Sequence, residues 1–182
     1  VMSLTNWQII NTITIDGLPE DIISDGENIW VSVPMKSDWS NNNIVIKINP
    51  ENIANITEYE VGEGPGDLIY HNNSIYVSRT FYDENWNAFS GTSKIDMDGN
   101  INIMNYGSGV ACGGSVTKYN NTVYRSYDGG IAPLDENLNI MSDQKIGDFN
   151  FNNLYDVKAI NNKIYFALTN YADINQVTVL DE

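Results

Sequence analysis

The sequence predicts an all-β fold, a β-propeller of four four-stranded blades, and three observations predict it. First, one phrase occurs four times: "GENIWVSV" (26–33), "NNSIYVSR" (72–79), "NNTVYRSY" (120–127) and "NNKIYFAL" (161–168). Each sets turn residues before an alternating apolar-aromatic run, the pattern of the second half of a β-hairpin. Second, the pairs Ile29-Trp30, Ile75-Tyr76, Val123-Tyr124 and Ile164-Tyr165 recur at intervals of 46, 48 and 41 residues. Four-stranded blades produce periods in this range. Third, Asn is abundant, Ala is scarce and no segment sustains a helical period. One short turn fits at residues 50–53.

The elements follow in a fixed order within each repeat. An aliphatic residue, Ile22, Leu68, Val116 or Val157, lies seven positions before each pair and marks the first strand. Before it stands Asp21, Asp67, Ser115 or Asp156. Seven residues fit one strand, a tight turn and the start of the next strand. The turns "SDGEN", "HNNS", "YNNT" and "INNK" supply the Asn and Gly that tolerate positive φ. Third strands are expected in "IVIKINP" (44–50), "TSKIDMDG" (92–99), "GIAPLDEN" (130–137) and "QVTVLDE" (176–182). Fourth strands are expected in "ITEYEVGEG" (56–64), "INIMNYGSG" (101–109) and "LNIMSDQKIG" (138–147). The chain then divides into blades near 18–64, 65–109, 110–147 and 148–182, within one domain spanning 1–182.

The fourth repeat has no fourth strand. At the other end, "WQIINTITIDGLPED" (7–21) runs into Pro19-Glu20-Asp21 as "YEVGEGPGDL" runs into Pro65-Gly66-Asp67. Strand 7–17 is therefore expected to join the last blade and close a ring, which removes two exposed edges. The alternative is that two chains exchange this strand and form an eight-bladed ring, so the chain is expected as a monomer or a homodimer.

A net charge of −15 disfavours nucleic acid and anionic membranes as partners and favours cations or a basic surface. The single cysteine, Cys112, allows no disulfide within the chain and suits a small core position. No apolar run approaches the length of a membrane-spanning helix, and no signal peptide is expected within 1–182. The one histidine, His71, falls at a hairpin turn away from the long loops, so no catalytic triad centres on it.

At this point the residues carry a resemblance. "GEGPGDLIYHNNSIYVSR" with "SKIDMDGNINIMNYGSG", and "LYDVKAINNKIYFALTNYADINQVTVLDE", resemble the YncE-like or YVTN-type β-propeller repeats of bacterial surface and secreted proteins. The likeness covers nearly the whole chain, and its motifs mark blade structure, not chemistry. It implies a propeller fold and, by analogy, an extracellular, cell-surface or virion setting. Members of that family usually carry about seven blades, and this chain has four repeats.

Loops between second and third strands share one face of a propeller. Here they read "PMKSDWSNNN" (34–43), "TFYDENWNAFSG" (80–91), "DGG" (128–130) and "TNYADIN" (169–175). They offer Trp39, Phe81, Tyr82, Trp86 and Tyr171 beside Asp38, Asp83 and Asn87, with Tyr127 at the strand end before the short loop. Aromatic faces stack on sugar rings or anchor a protein partner, and carboxylates and amides pair with hydroxyls. The expected function is non-catalytic recognition of a glycan or protein ligand. A structural or assembly subunit is the alternative, and a metal-dependent hydrolase is the third class. Asp21, Asp67 and Asp156 would surround the axis and could hold Ca²⁺, or each could cap backbone N–H groups of its own or a neighbouring blade.

Overall fold

A computed structural model of the chain describes residues 1–108, 114–150 and 154–181; Cys112 lies outside them. Four antiparallel sheets follow one another along the chain, and no α-helix occurs among the described residues. The first sheet runs β1 (Ile22–Ser24), β2 (Ile29–Met35), β3 (Asn41–Asn49) and β4 (Asn52–Glu60) in that order. The second repeats the layout with β5 (Pro65–His71), β6 (Ser74–Tyr82), β7 (Ala88–Asp96) and β8 (Ile101–Ser108). The third holds β9 (Val116–Tyr119), β10 (Thr122–Tyr127) and β11 (Gly130–Pro133). The fourth holds β12 (Leu154–Ile160), β13 (Lys163–Thr169) and β14 (Asn175–Asp181). Each sheet is a meander in chain order, the layout of a propeller blade.

The repeated phrases form the second strands, and the tight turns before three of them hold Asn pairs at positive φ: Asn72-Asn73, Asn120-Asn121 and Asn161-Asn162. Asn bears this conformation at low cost, which is why the pairs recur. Five-residue turns obey a second rule. In Asp83–Asn87, Asp96–Asn100 and Asp135–Asn139 the carboxylate accepts the backbone N–H and the side-chain amide of the Asn four residues on. "DMDGN" (96–100) is therefore a hairpin turn.

Alternation along each strand sends one set of side chains to the preceding sheet and the other to the next. Trp30 and Val45, with Val61 just beyond β4, meet Leu68, Ile75, Val77 and Ile95 of the second sheet in one buried cluster. Ile69 and Tyr76 of the second sheet meet Val123, Leu134 and Leu138 of the third region. Tyr119, Tyr124 and Ile131 meet Leu154, Val157, Ile164 and Phe166 of the fourth. Polar links cross each junction. The Leu68 N–H donates to Asp21 Oδ2 (2.7 Å) and the Ser93 hydroxyl to the Val61 carbonyl (2.6 Å). The guanidinium of Arg125 donates to the Gly91 carbonyl (2.7 Å), and the Ser115 hydroxyl to Asp156 Oδ1 (2.7 Å). Arg125 is fully buried and lies over the Tyr106 ring, 4.7 Å from its centroid. Burial pushes its pKa down, and burial likewise pushes Arg79 down to about 10.

Three expectations change. Segment 7–17 does not pair with β14. Its Ile13 and Ile15 instead pack on Val31, Val33, Ile46 and Ile48, the outward flank of the first sheet. An alternating isoleucine pair satisfies any apolar sheet face, and this one lies next in the chain. The fourth strand expected at 138–147 is reduced to two isolated bridges, Leu134 with Ile140 and Ile131 with Ile146, separated by a 3₁₀ turn at Ser142–Gln144. The long loop expected at 80–91 is mostly strand: β6 and β7 continue to Tyr82 and Ala88 and leave only a five-residue turn. Phe81 and Phe89 face each other across this extension, with ring centroids 5.7 Å apart.

Trp30 ties the first junction together. It is buried, its indole N–H donates to Asp25 Oδ2 (2.7 Å), and its ring meets Tyr59 at 5.3 Å. Trp30→Ala is expected to cost about 3–5 kcal/mol, read as a lower midpoint in urea unfolding. A loss below about 1 kcal/mol would contradict this packing role.

Candidate functional site

The residue before each aligned inner-strand position is Glu20, Gly66, Gly114 or Tyr155. All four line one cleft of about 1210 Å³, together with Asp67, Ser115 and Asp156. Pro34 and Met35 of the first sheet and Tyr82, Asn87 and Phe89 of the second also line it. Leu154, Thr169 and Tyr171 complete it from the fourth. Two of the four aligned positions are glycine, Gly114 in a tight site and Gly66 in a crowded one. A Cβ on Gly114 would stand 2.5 Å from the Thr80 hydroxyl, and one on Gly66 would stand 3.1 Å from the Glu20 carboxylate.

Three carboxylates from three sheets meet in this region, and a lysine joins them. The Lys158 ammonium lies 2.9 Å from Asp67 Oδ2 and 3.8 Å from Asp156 Oδ1. Burial opposes its charge, but the hydrogen bond to Asp67 and the charges of Asp67, Asp156 and Asp21 outweigh burial and raise its pKa. Burial raises the pKa of Asp67, the Lys158 contact works against that rise, and the charges of Asp156 and Asp21 add to it. Glu20 is raised by partial burial in the cleft and by the charges of Asp67 and Asp21.

The aspartates also make the capping contacts that one of their two readings expects. Asp21 accepts the Ile22 N–H (2.8 Å) and the Leu68 N–H (2.7 Å). Asp156 accepts the Val157 N–H (2.6 Å) and the Ser115 hydroxyl. Asp21 and Asp156 thus cap backbone N–H groups and join neighbouring sheets, while Asp67 pairs with an internal cation. Among the described residues, no group of three or more His, Cys, Asp or Glu side chains is arranged to hold a metal ion. Both oxygens of Asp21, Oδ2 of Asp67 and Oδ1 of Asp156 are engaged in these contacts, and Lys158 brings a positive charge to the group.

Of the expected ligand residues, Tyr82, Asn87 and Tyr171 line the cleft. Trp86 stands beside the rim, 6.2 Å from Tyr82 by ring centroids. Asp83 holds its own turn through Asn87, which lowers its pKa. Asp38 does the same through Ser40 (2.6 Å). Phe81 stacks on Phe89 and carries the Arg79 guanidinium over its ring at 5.4 Å. Tyr127, at the end of β10, and Trp39, at the first turn, do not line the cleft. Glu20, Met35 and Tyr155 were not expected there. Tyr155 meets Tyr171 edge-on at 6.2 Å and forms a two-ring wall. One signal could have found it: its place one residue before the aligned aspartate.

The tip aromatics share a backbone state. Trp39, Trp86 and Tyr171 have φ of 68°, 63° and 60° and are 74%, 82% and 81% exposed. Positive φ is uncommon for bulky residues, and these turns hold three of them with their rings in solvent. Trp7, in an N-terminal hairpin closed by a Met2–Ile9 bridge, shows the same state at φ 59°.

No protein-family model matches the chain, and no curated protein matches it. Among solved structures, the chain is similar to BamB from Moraxella catarrhalis, with 12% identity and a TM-score of 0.39. The match covers 88% of this chain and 58% of that one, so the chain spans less than two thirds of that protein.

Glu20 offers a test of the cleft's electrostatics. Its pKa is raised in the folded state, so its favourable contribution is present at low pH and is lost as pH rises through the folded value. Glu20→Gln is expected to raise Tm by about 1–2 °C at pH 7 and to leave it unchanged near pH 4. A lower Tm at pH 7 in the variant would contradict the penalty that burial and the neighbouring carboxylates place on the Glu20 charge.

Proposed function

We propose that the four sheets are blades of a propeller ring and that the chain is a non-catalytic binding module whose cleft takes a glycan. The observation that carries this reading is the cleft itself. It is lined from all four repeats, and Tyr82, Phe89, Tyr155 and Tyr171 stand beside Asn87, Asp67, Asp156 and Glu20. Aromatic faces suit the CH face of a sugar ring, and the flanking amide and carboxylates accept or donate to its hydroxyls. The acidic floor opposes anionic ligands and suits neutral or cationic sugars. We extend the proposal to an exposed setting, outside the cell or on a virion, where such ligands are met; the resemblance to YncE-like repeats supports the same setting.

The test is a broad glycan array followed by titration of any hit. Tyr171→Ala is expected to weaken binding about 30-fold, the effect of losing about 2 kcal/mol at an aromatic anchor. Trp39→Ala is expected to leave it within about twofold. Equal binding by wild type and Tyr171→Ala would overturn the cleft as the site. A blank array would overturn the glycan reading and favour a protein ligand on the same face.

A further inference from the structure

Equivalent positions in the four repeats are not equally buried. The inner-strand aliphatic is 2% exposed at Leu68, 0% at Val116 and 1% at Val157, but 65% exposed at Ile22. A third-strand position shows the opposite bias along the chain. The register pairs Ser32 with Val45, Ser78 with Thr92, Ser126 with Ile131 and Ala167 with Val177. Val45, Thr92 and Ile131 are 0% exposed, whereas Val177 is 66% exposed. In the first junction these two kinds of position share one cluster, Val45 with Leu68. Among the described residues, two half-junctions thus face outward: one side of β12–β14 and one side of the first sheet.

The N-terminal segment strengthens the match. Aligning Pro19 on Pro65 puts Ile13 at the position of Tyr59 and Ile15 at that of Val61. Val61 and Tyr59 belong to the outermost strand of one sheet and its continuation, and both pack into the junction with the next sheet. Ile13 and Ile15 pack on the first sheet in the same way, with no sheet of their own behind them. The fourth sheet has three strands, and β14 is its edge. Val177 and Val179 on that edge strand are exposed.

We propose that a second copy of this chain seats its fourth sheet against the N-terminal segment of the first, so that segment 10–16 of one copy becomes the fourth strand beside β14 of the other. The pairing of the first sheet supplies the register. Ile46 faces Glu58 and Ile48 faces Ile56, so Thr178 faces Thr12 of the other copy and Leu180 faces Ile10. Ile22 of one copy then meets Val177 of the other, as Leu68 meets Val45 within the chain. Two such contacts related by a twofold axis close a ring of eight blades without altering any junction inside a chain. A net charge of −15 per chain makes the copies repel, so salt strengthens the pair. This inference rests on the propeller reading of the sheets but not on the ligand; a failed glycan test leaves its readout untouched.

The experiment joins light scattering to cross-linking on the full chain in a Cys112→Ser background. Wild type at high micromolar concentration is expected at twice the 20.4 kDa mass of one chain. Val177→Lys, at an exposed position, is expected to keep the same circular dichroism and to run as a monomer. Thr12→Cys/Thr178→Cys with a short bis-maleimide is expected to give a covalent dimer. A monomeric mass, or a mass above two chains, overturns the closed pair. A cross-link confined to one chain overturns it in favour of closure by the chain's own strand. The absence of any cross-link overturns the register.

Discussion

The structure depends on the junction between one sheet and the next. A β-sheet of three or four short strands has two faces, and neither sheet nor face is stable alone in water. Here the two sets of side chains on a sheet face opposite ways along the stack. Trp30 and Val45 go to one neighbour, and Val31 and Val33 go to the other side. Each repeat buries its apolar residues only because another repeat follows. The hydrogen bonds across the junctions then set their register: the Asp21 carboxylate on the Leu68 N–H, the Ser115 hydroxyl on Asp156 and the Arg125 guanidinium on the Gly91 carbonyl.

The cleft is a consequence of that stacking. Inner strands that must approach one another bring Gly66 and Gly114 into close contact with their neighbours. They also bring Asp67 and Asp156 to a shared lysine. Carboxylates in this position serve the fold: Asp67 pairs with Lys158, and Asp156 accepts the Val157 N–H and the Ser115 hydroxyl. Tyr155 and Tyr171 form one wall of this opening, and Tyr82 with Phe89 lines it from the second sheet. The tips that carry Trp39, Trp86 and Tyr171 hold them outward on a positive-φ backbone. A hairpin turn favours Gly or Asn in that conformation, so an aromatic ring there is an exception to turn chemistry.

Much of the fold was legible in the sequence because its signals were local and repeated. The seven-residue interval from Leu68 to Ile75 is a strand and a two-residue turn, and Asn72-Asn73 forms that turn. The partner of the N-terminal segment was not legible. Ile13 and Ile15 alternate as any half-buried strand does, and alternation names a face without naming what covers it. The outer strand of the third repeat failed for a different reason. "LNIMSDQKIG" has apolar residues at strand spacing, but Ser142–Gln144 makes a 3₁₀ turn that interrupts pairing after Ile140. At the site, the loop aromatics Tyr82 and Tyr171 were visible as residue types in unusual places. Tyr155 was hidden inside a strand and Glu20 in the run Pro19-Glu20-Asp21 before the first strand, because only the packed sheets reveal that both face one opening.

The most direct measurement is native-state hydrogen exchange at the Leu68 amide, read by NMR in wild type and in Asp21→Ala. If the junction carboxylate clamps sheet to sheet, the wild-type amide exchanges only through global unfolding, and the variant exchanges at least about tenfold faster at that site. Rapid exchange of Leu68 in the wild type, or equal protection in both proteins, would contradict the account.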